Sequence, residues 1–281
     1  MKWIECPRDA MQGMHDFVPT EIKTEYINLL LKAGFDTIDF GSFVSPKAIP
    51  QMRDTAEVLK GLNLSNETKL LAIIANERGA EDALHFEEID YLGYPFSVSE
   101  VFQQRNTNAS IEDSLLRLET IQNKVVAKNK SLVVYLSMGF GNPYGEEWNP
   151  DIVLKWANRL VKDFGINILA PSDTIGCATT ENVHSLFESL IHELPQTEFG
   201  AHLHTRPENA EALLTAAYSA GCRRFDTAIK GYGGCPMAKD DLTGNMPTEI
   251  LLKWLTNNEI EHSLDRKAFN DAFDFSSRIF L

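Results

Sequence analysis

Cysteine is scarce in this chain. The four present (Cys6, Cys177, Cys222, Cys235) lie far apart, and none forms a Cys-x-x-Cys pair. That spacing argues against a disulfide framework and for free thiols in a reducing compartment. Positive charge is also short: 26 Lys and Arg stand against 40 Asp and Glu, a formal net charge of −14. No Lys/Arg run creates a local basic patch, so no nucleic-acid partner is expected. A polyanionic ligand would have to be met by a small local cluster of cations. No stretch approaches the roughly 20 apolar residues of a membrane span, so no membrane partner is expected either. The first strand pattern begins at Lys2-Trp3-Ile4, which leaves no room for a signal or transit peptide. The expected location is cytoplasmic. No low-complexity linker or break in composition interrupts residues 1–281, and one domain is expected.

What the chain does have is short apolar runs alternating with amphipathic helical patterns. Strands are expected at Trp3 to Cys6, Thr37 to Phe40, Lys69 to Ala75, Glu88 to Tyr91, Leu132 to Ser137, Ile166 to Ala170, Glu198 to His204 and Arg224 to Ala228. A helix is expected after Thr20 as N-cap, with Ile22, Tyr26, Leu29, Leu30 and Ala33 on one stripe and Gly34 as its stop. Another opens on Ser110-Ile111-Glu112-Asp113, the pattern of a capping box. Eight β-then-α units in 281 residues predict an α/β fold, a (β/α)8 TIM barrel. A doubly wound open sheet is the alternative. The tail from Asp265 to Leu281 reads as an additional C-terminal helix packed on the barrel.

In a barrel, chemistry collects at the C-terminal ends of the strands. Arg8-Asp9 follows the first predicted strand, Asp39 ends the second, Asp173 follows the sixth, and His202 and His204 end the seventh. Cys235 and Asn245 lie after the eighth. Residues two apart in a strand share a face, so His202 and His204 project together. They either chelate one ion or hydrogen-bond in a polar barrel mouth. With Asp9 and Asn245 they make a mixed N/O set that leaves positions open on an octahedral ion, which suits Mg²⁺ or Mn²⁺. A closed structural zinc site would use more sulfur. Cys235 sits in the glycine-rich segment Gly231-Tyr232-Gly233-Gly234-Cys235-Pro236, which reads as a mobile or sharply turned loop. It is either a reactive thiol or a small buried hydrophobe. Arg8 cannot be a base; its use is to stabilise negative charge on oxygen, or else to make a surface ion pair. Asp39 and Asp173 either support this machinery or cap helices. Cys6 is expected to line the barrel floor, and Cys222 to close a helix–strand junction.

These segments carry a resemblance. Pro-Arg-Asp-x-x-Gln, Ser42-Phe43-Val44-Ser45-Pro46-Lys47 with Pro50-Gln51-Met52, Asn142-Pro143-Tyr144, Asp173-Thr174-Ile175-Gly176, His-x-His, Gly-Gly-Cys-Pro and Gly-Asn occur in order from about Trp3 to Leu255. The chain resembles the 3-hydroxy-3-methylglutaryl-CoA lyases, in a superfamily that also holds condensing synthases. Those synthases carry Glu-Arg where this chain has Cys235-Pro236. The resemblance implies an acyl-CoA substrate, a divalent metal held by Asp9, His202, His204 and Asn245, and enolate stabilisation by Arg8. It implies proton delivery by Cys235, support from Asp39 and Asp173, and a role for Glu249, the acid four residues after Asn245. It also implies a homodimer. The chain departs from the family in Ala10 where Gly is common and in Thr205 where an acid often follows His-x-His. Its segment between Cys235 and Asn245 is about one residue longer, and contains Asp240 and Asp241. Lys47 and Arg53 are candidates for CoA phosphates, with plain surface exposure as the other reading. A lyase or condensing enzyme of the same superfamily acting on a different 3-hydroxyacyl-CoA or 2-oxo acid, a noncatalytic ligand-binding relative and a metallohydrolase are the competing functions.

Overall fold

The computed structural model describes residues 1–64, 67–234 and 243–280. Eight strands form the barrel: β1 (Lys2–Glu5), β2 (Thr37–Ser42), β3 (Lys69–Ile73), β4 (Tyr91–Ser97), β5 (Ser131–Ser137), β6 (Ile168–Asp173), β7 (Glu198–Leu203) and β8 (Arg224–Thr227). Each pairs in parallel with the next, and β8 returns to β1 through Lys2↔Arg224, Trp3↔Phe225, Ile4↔Asp226 and Glu5↔Thr227. That closure excludes the open sheet. The helices are α1 (Pro7–Gln12), α2 (Thr20–Ala33), α3 (Thr55–Lys60), α4 (Glu77–Leu84), α5 (Glu100–Thr107), α6 (Ile111–Ala127), α7 (Pro150–Phe164), α8 (Thr180–Glu193), α9 (Pro207–Ser219), α10 (Thr248–Asn257) and α11 (Arg266–Ser276).

The two-residue period of the strands divides the apolar residues between two cores. On β5, Leu132, Val134 and Leu136 join the large core between barrel and helices. Val133 and Tyr135 instead meet Leu71, Ile73, Ile168 and Ala170 in a small separate core. The buried residues of that inner core come from β3, β5 and β6, with Tyr91 of β4 and Val44 packed against them. The strands opposite bring charged and polar groups to the interior, and these become the site.

Ser110 and Asp113 do form a reciprocal capping box on α6. Thr20 does not cap α2. Pro19 holds the cap position and Thr20 is the first helical residue, its hydroxyl donating to Asp54 at 2.8 Å. The largest displacement from expectation is β4, which runs Tyr91–Ser97 rather than Glu88 to Tyr91. Gly93 and Pro95 read as breakers, yet both are within the strand. A Cβ on Gly93 would come within 2.4 Å of Ile73 Cδ1 and 3.0 Å of Tyr135, so the missing side chain makes room for the inner core. The C-terminal helix α11 is capped by Asp265 and packs on α2, with Phe275 stacked on Tyr26 at 6.2 Å. Beyond it, Phe280 stacks on Tyr232 at 4.3 Å.

β1 ends in Glu5, which is wholly buried on the side facing the helices. Its carboxyl accepts from Thr248 Oγ1 at 2.6 Å and from the Ile229 amide at 2.9 Å, tying α10 and the turn after β8 to the barrel. Burial pushes its pKa to about 8, with Glu249 adding repulsion against the Thr248 and Ile229 bonds. The folded-state value lies above that of an unfolded glutamate. Its contribution to stability is therefore full at acid pH and is lost as pH rises towards 8, at about 1.4 kcal/mol per unit within that window. Glu5→Gln has no proton to lose. Thermal melts from pH 5 to 9 should show the variant gaining on the wild type as pH rises. A melting-point difference independent of pH would contradict this reading of Glu5.

Candidate active site

The site begins where β1 turns into α1. Cys6 is at the cap position and Pro7 opens the helix, where a missing N–H costs nothing. Helical spacing then puts Gln12 one turn from both Arg8 and Asp9. Arg8 Nη1 donates to Asp9 Oδ1 and to Gln12 Oε1, both at 2.8 Å, and Gln12 Nε2 donates to Asp9 Oδ1 at 2.6 Å. The other edge of the guanidinium meets Asp39: Nη2 at 2.5 Å and Nε at 3.0 Å from Oδ2. Asp39 is inside β2, beside a register shift between Asp39 and Gly41. These bonds occupy four of the five N–H donors of Arg8 and leave one on Nη2.

Arg8, Asp9 and Asp39 are all buried, so their charges act with little water between them. Burial opposes the charge on Arg8, but Asp39 and Asp9 hold its pKa above the ordinary value. Burial would raise Asp9, yet the Arg8 charge and the nearby histidines drive it far below the ordinary carboxylate range. Burial pushes Asp39 up to about 6, offset only in part by Arg8, with Asp9 and Asp226 adding repulsion. At neutral pH all three are ionised.

His202 and His204 project together from the end of β7, ring centroids 5.3 Å apart. Each is held by its Nδ1. His202 Nδ1 lies 3.1 Å from Asp226 Oδ2, and His204 Nδ1 lies 3.2 Å from the Thr174 carbonyl. Burial alone would lower the His202 pKa; the Asp226 bond and charge turn the net shift upward. His204 Nε2 is buried with no hydrogen-bond partner among the described residues, and stands 3.7 Å from Asp9 Oδ2. Asn245 pairs with His204 in an antiparallel bridge, and its carboxamide nitrogen donates to Asp9 Oδ2 at 2.8 Å and to the Tyr232 carbonyl at 2.9 Å. Its oxygen is the atom left for a cation. Ligand atoms of Asp9, His202 and His204 all lie within 4.8 Å of one another. An orphaned buried imidazole nitrogen, an anionic carboxylate and second-ring nitrogens already anchored elsewhere fit a divalent metal ion.

Arg8, Asp9, Asp39, His202, His204 and Asn245 thus come together. Asp173 and Glu249 serve backbone. Asp173 accepts from the Cys177 and Ala178 amides at 3.0 and 2.8 Å, which shapes the turn before α8, itself capped by Thr179. Glu249, in the first turn of α10, accepts from the Lys230 amide at 2.9 Å. Cys235, Asp240 and Asp241 lie outside the described residues. Cys6 is not on the barrel floor: it follows β1 as the cap residue of α1, beside His202 and Asp226. Burial and the surrounding carboxylates keep its thiol protonated. Lys47 is exposed, and the Arg53 guanidinium lies 3.4 Å over the Phe17 ring.

Asp226 is the residue sequence reasoning missed. The register His202↔Asp226 sets it beside the histidine it holds, and it supplies the partner that Thr205 cannot. The available signal was Arg224 and Asp226, two charges at strand period inside a buried segment. Gln12 was within a recognised motif but had no assigned role.

A closed parallel barrel with a buried carboxylate, two imidazoles and a guanidinium at its C-terminal mouth has the layout of a (β/α)8 enzyme, with side chains that could hold a metal ion. The HMGL-like family model matches residues 1–275, and the chain belongs to that family. The mitochondrial hydroxymethylglutaryl-CoA lyase of Mus musculus is 33% identical over 271 residues, 96% of this chain and 82% of that protein. The 3-hydroxy-3-isohexenylglutaryl-CoA/hydroxymethylglutaryl-CoA lyase of Pseudomonas aeruginosa is 34% identical over 266 residues, 95% of this chain and 88% of that one. A solved HMG-CoA lyase from Acinetobacter baumannii, in complex with coenzyme A and 3-methylmalate, superposes with a TM-score of 0.92 at 28% identity, covering 99% of this chain and 90% of that one.

Proposed function

We propose that this protein cleaves (S)-3-hydroxy-3-methylglutaryl-CoA to acetyl-CoA and acetoacetate, with Asp9, His202, His204 and Asn245 holding Mg²⁺ or Mn²⁺. The observation that carries the reading is the single uncommitted N–H of Arg8, fixed beside that ligand set. A bound divalent ion would acidify and orient the C3 hydroxyl of the substrate. The chain supplies the rest. The C3 hydroxyl gives its proton to water as the C2–C3 bond breaks and C3 becomes the ketone of acetoacetate; the electron pair moves onto the thioester oxygen, and Arg8 offers its donor there. Asp39 and Gln12 keep that guanidinium from turning away. Cys235 delivers the closing proton to C2, a role that rests on the Gly-Gly-Cys-Pro motif. Asp173 and Glu249 act by holding the loops that border the mouth. A cytoplasmic homodimer belongs to the same reading; Cys6, Cys177 and Cys222 are free thiols, and no helix among the described residues is long and apolar enough to cross a membrane.

Release of acetyl-CoA and acetoacetate from the substrate, followed by mass spectrometry with Mg²⁺ present, tests the assignment. A second reading, a bulkier hydrocarbon substituent at C3, is favoured by the Pseudomonas aeruginosa relative, which is 34% identical to this chain against 33% for the mouse enzyme. Turnover of the 3-isohexenyl substrate alone would replace the methyl substrate in the assignment.

A further inference from the structure

Arg224 is the largest fully buried side chain of the described protein. It lies on β8 two residues before Asp226, so both point into the barrel. Barrel interiors are ordinarily filled by branched aliphatic residues, and an ion there forfeits its hydration. Space has been reserved for it nonetheless. Gly200 is its register partner on β7, and a Cβ there would stand 2.9 Å from Arg224 Cδ and 3.2 Å from Nε. At one end Arg224 Nη1 donates to Glu198 Oε1 at 2.9 Å, and Glu198 also takes Lys2 Nζ at 2.5 Å. At the other, Arg224 Nε lies 3.9 Å from Asp226 Oδ1, whose second oxygen meets His202. A charged line therefore climbs the interior from Lys2, at the start of β1, to the mouth. Arg224 Nε and Nη2, Asp226 Oδ1 and Tyr135 Oη are buried without protein partners among the described residues, so this compartment is not closed by direct bonds.

We propose that Arg224 is a positioning residue for the metal centre: its charge holds the Asp226 carboxylate against His202 Nδ1, which leaves Nε2 of that ring for the cluster with Asp9 and His204. The inference rests on the metal reading above. An Nδ1–H donated to Asp226 fixes both the tautomer and the ring orientation, and such partners of metal-bound histidines typically carry 10- to 100-fold in affinity. Asp226 Oδ1 has no hydrogen-bond partner among the described residues, so a Val or Leu at position 224 would fill the space but leave the carboxylate free to turn.

The test uses the full-length protein. Mn²⁺ binding is followed by electron paramagnetic resonance, and the downfield imidazole N–H proton of the metal-free protein by NMR. Arg224→Met is expected to weaken Mn²⁺ binding roughly 10- to 100-fold and to shift or lose that proton signal, and Arg224→Lys to recover part of both. If Arg224→Met does not fold, Gly200→Ala decides, because it displaces the guanidinium without removing its charge and should weaken binding in the same direction. Unchanged Mn²⁺ affinity and an unchanged imidazole signal, in Arg224→Met or in a folded Gly200→Ala, overturn the proposal. A wild type that binds no Mn²⁺ defeats the metal reading instead, and the imidazole signal alone then decides the role of Arg224.

Discussion

Arg8→Gln is expected to lower kcat for thioester cleavage by at least a hundred- to a thousandfold, the usual effect of removing one oxyanion donor. Metal affinity should hold or tighten. The buried charged groups at the mouth are the Arg8 guanidinium against four carboxylates, Asp9, Asp39, Asp173 and Asp226. Unlike Arg224, Arg8 can be removed with Asp9 still held by Gln12 and Asn245, so the loss of its charge leaves the site more negative and more attractive to a cation. The variant also strands Asp39, which keeps no other cation within bonding distance among the described residues, so stability should fall by about 3–5 kcal/mol. Steady-state kinetics, Mn²⁺ titration and a thermal melt separate these effects. Weaker metal binding alongside the kinetic loss would mean that Arg8 acts chiefly by shaping Asp9. Arg8→Lys should rescue little, because one ammonium cannot donate to Asp39, Asp9 and Gln12 along three fixed directions at once.

The barrel was legible because its signal is repeated: eight apolar runs, each followed by an amphipathic helix. One strand broke the pattern. In β4 the rule that Gly and Pro punctuate gave way to packing, since Gly93 clears space for Tyr135 and Ile73. The convergence of Asp9, His202, His204 and Asn245 was legible because strand ends meet on one rim whatever the side-chain details. What holds these side chains in place was less so. Asp226 and Arg224 have no motif of their own; their meaning arises from the β7–β8 register, a long-range pairing no local pattern encodes. Asp173 and Glu249 show the converse. Asp173 had two readings, support for the site or a helix cap, and Glu249 a role only by resemblance; in the structure each carboxylate accepts from backbone amides. A carboxylate beside a turn has unpaired N–H groups at hand, and a sequence does not tell which demand prevails.

His204→Ala is expected to reduce divalent-metal affinity by more than about a hundredfold and to abolish turnover at metal concentrations that saturate the wild type. The physical reason is the orphaned nitrogen. His204 Nε2 is buried, 3.7 Å from Asp9 and without a hydrogen bond among the described residues, a costly state for a polar atom unless a ligand relieves it. Metal should therefore stabilise the wild type markedly, and chelator should lower its melting temperature, whereas the alanine variant should respond little to either. In the metal-free state the variant loses only the bond from Nδ1 to the Thr174 carbonyl and some packing, about 1–3 kcal/mol. Calorimetric titration with Mg²⁺ and Mn²⁺, paired with melts in chelator, reads both consequences. A variant that kept its metal affinity while losing activity would move His204 out of the ligand set and into direct contact with substrate. The same titration on Arg8→Gln is expected to run the opposite way. The pair of variants thus separates the group that holds the cation from the group that meets the enolate.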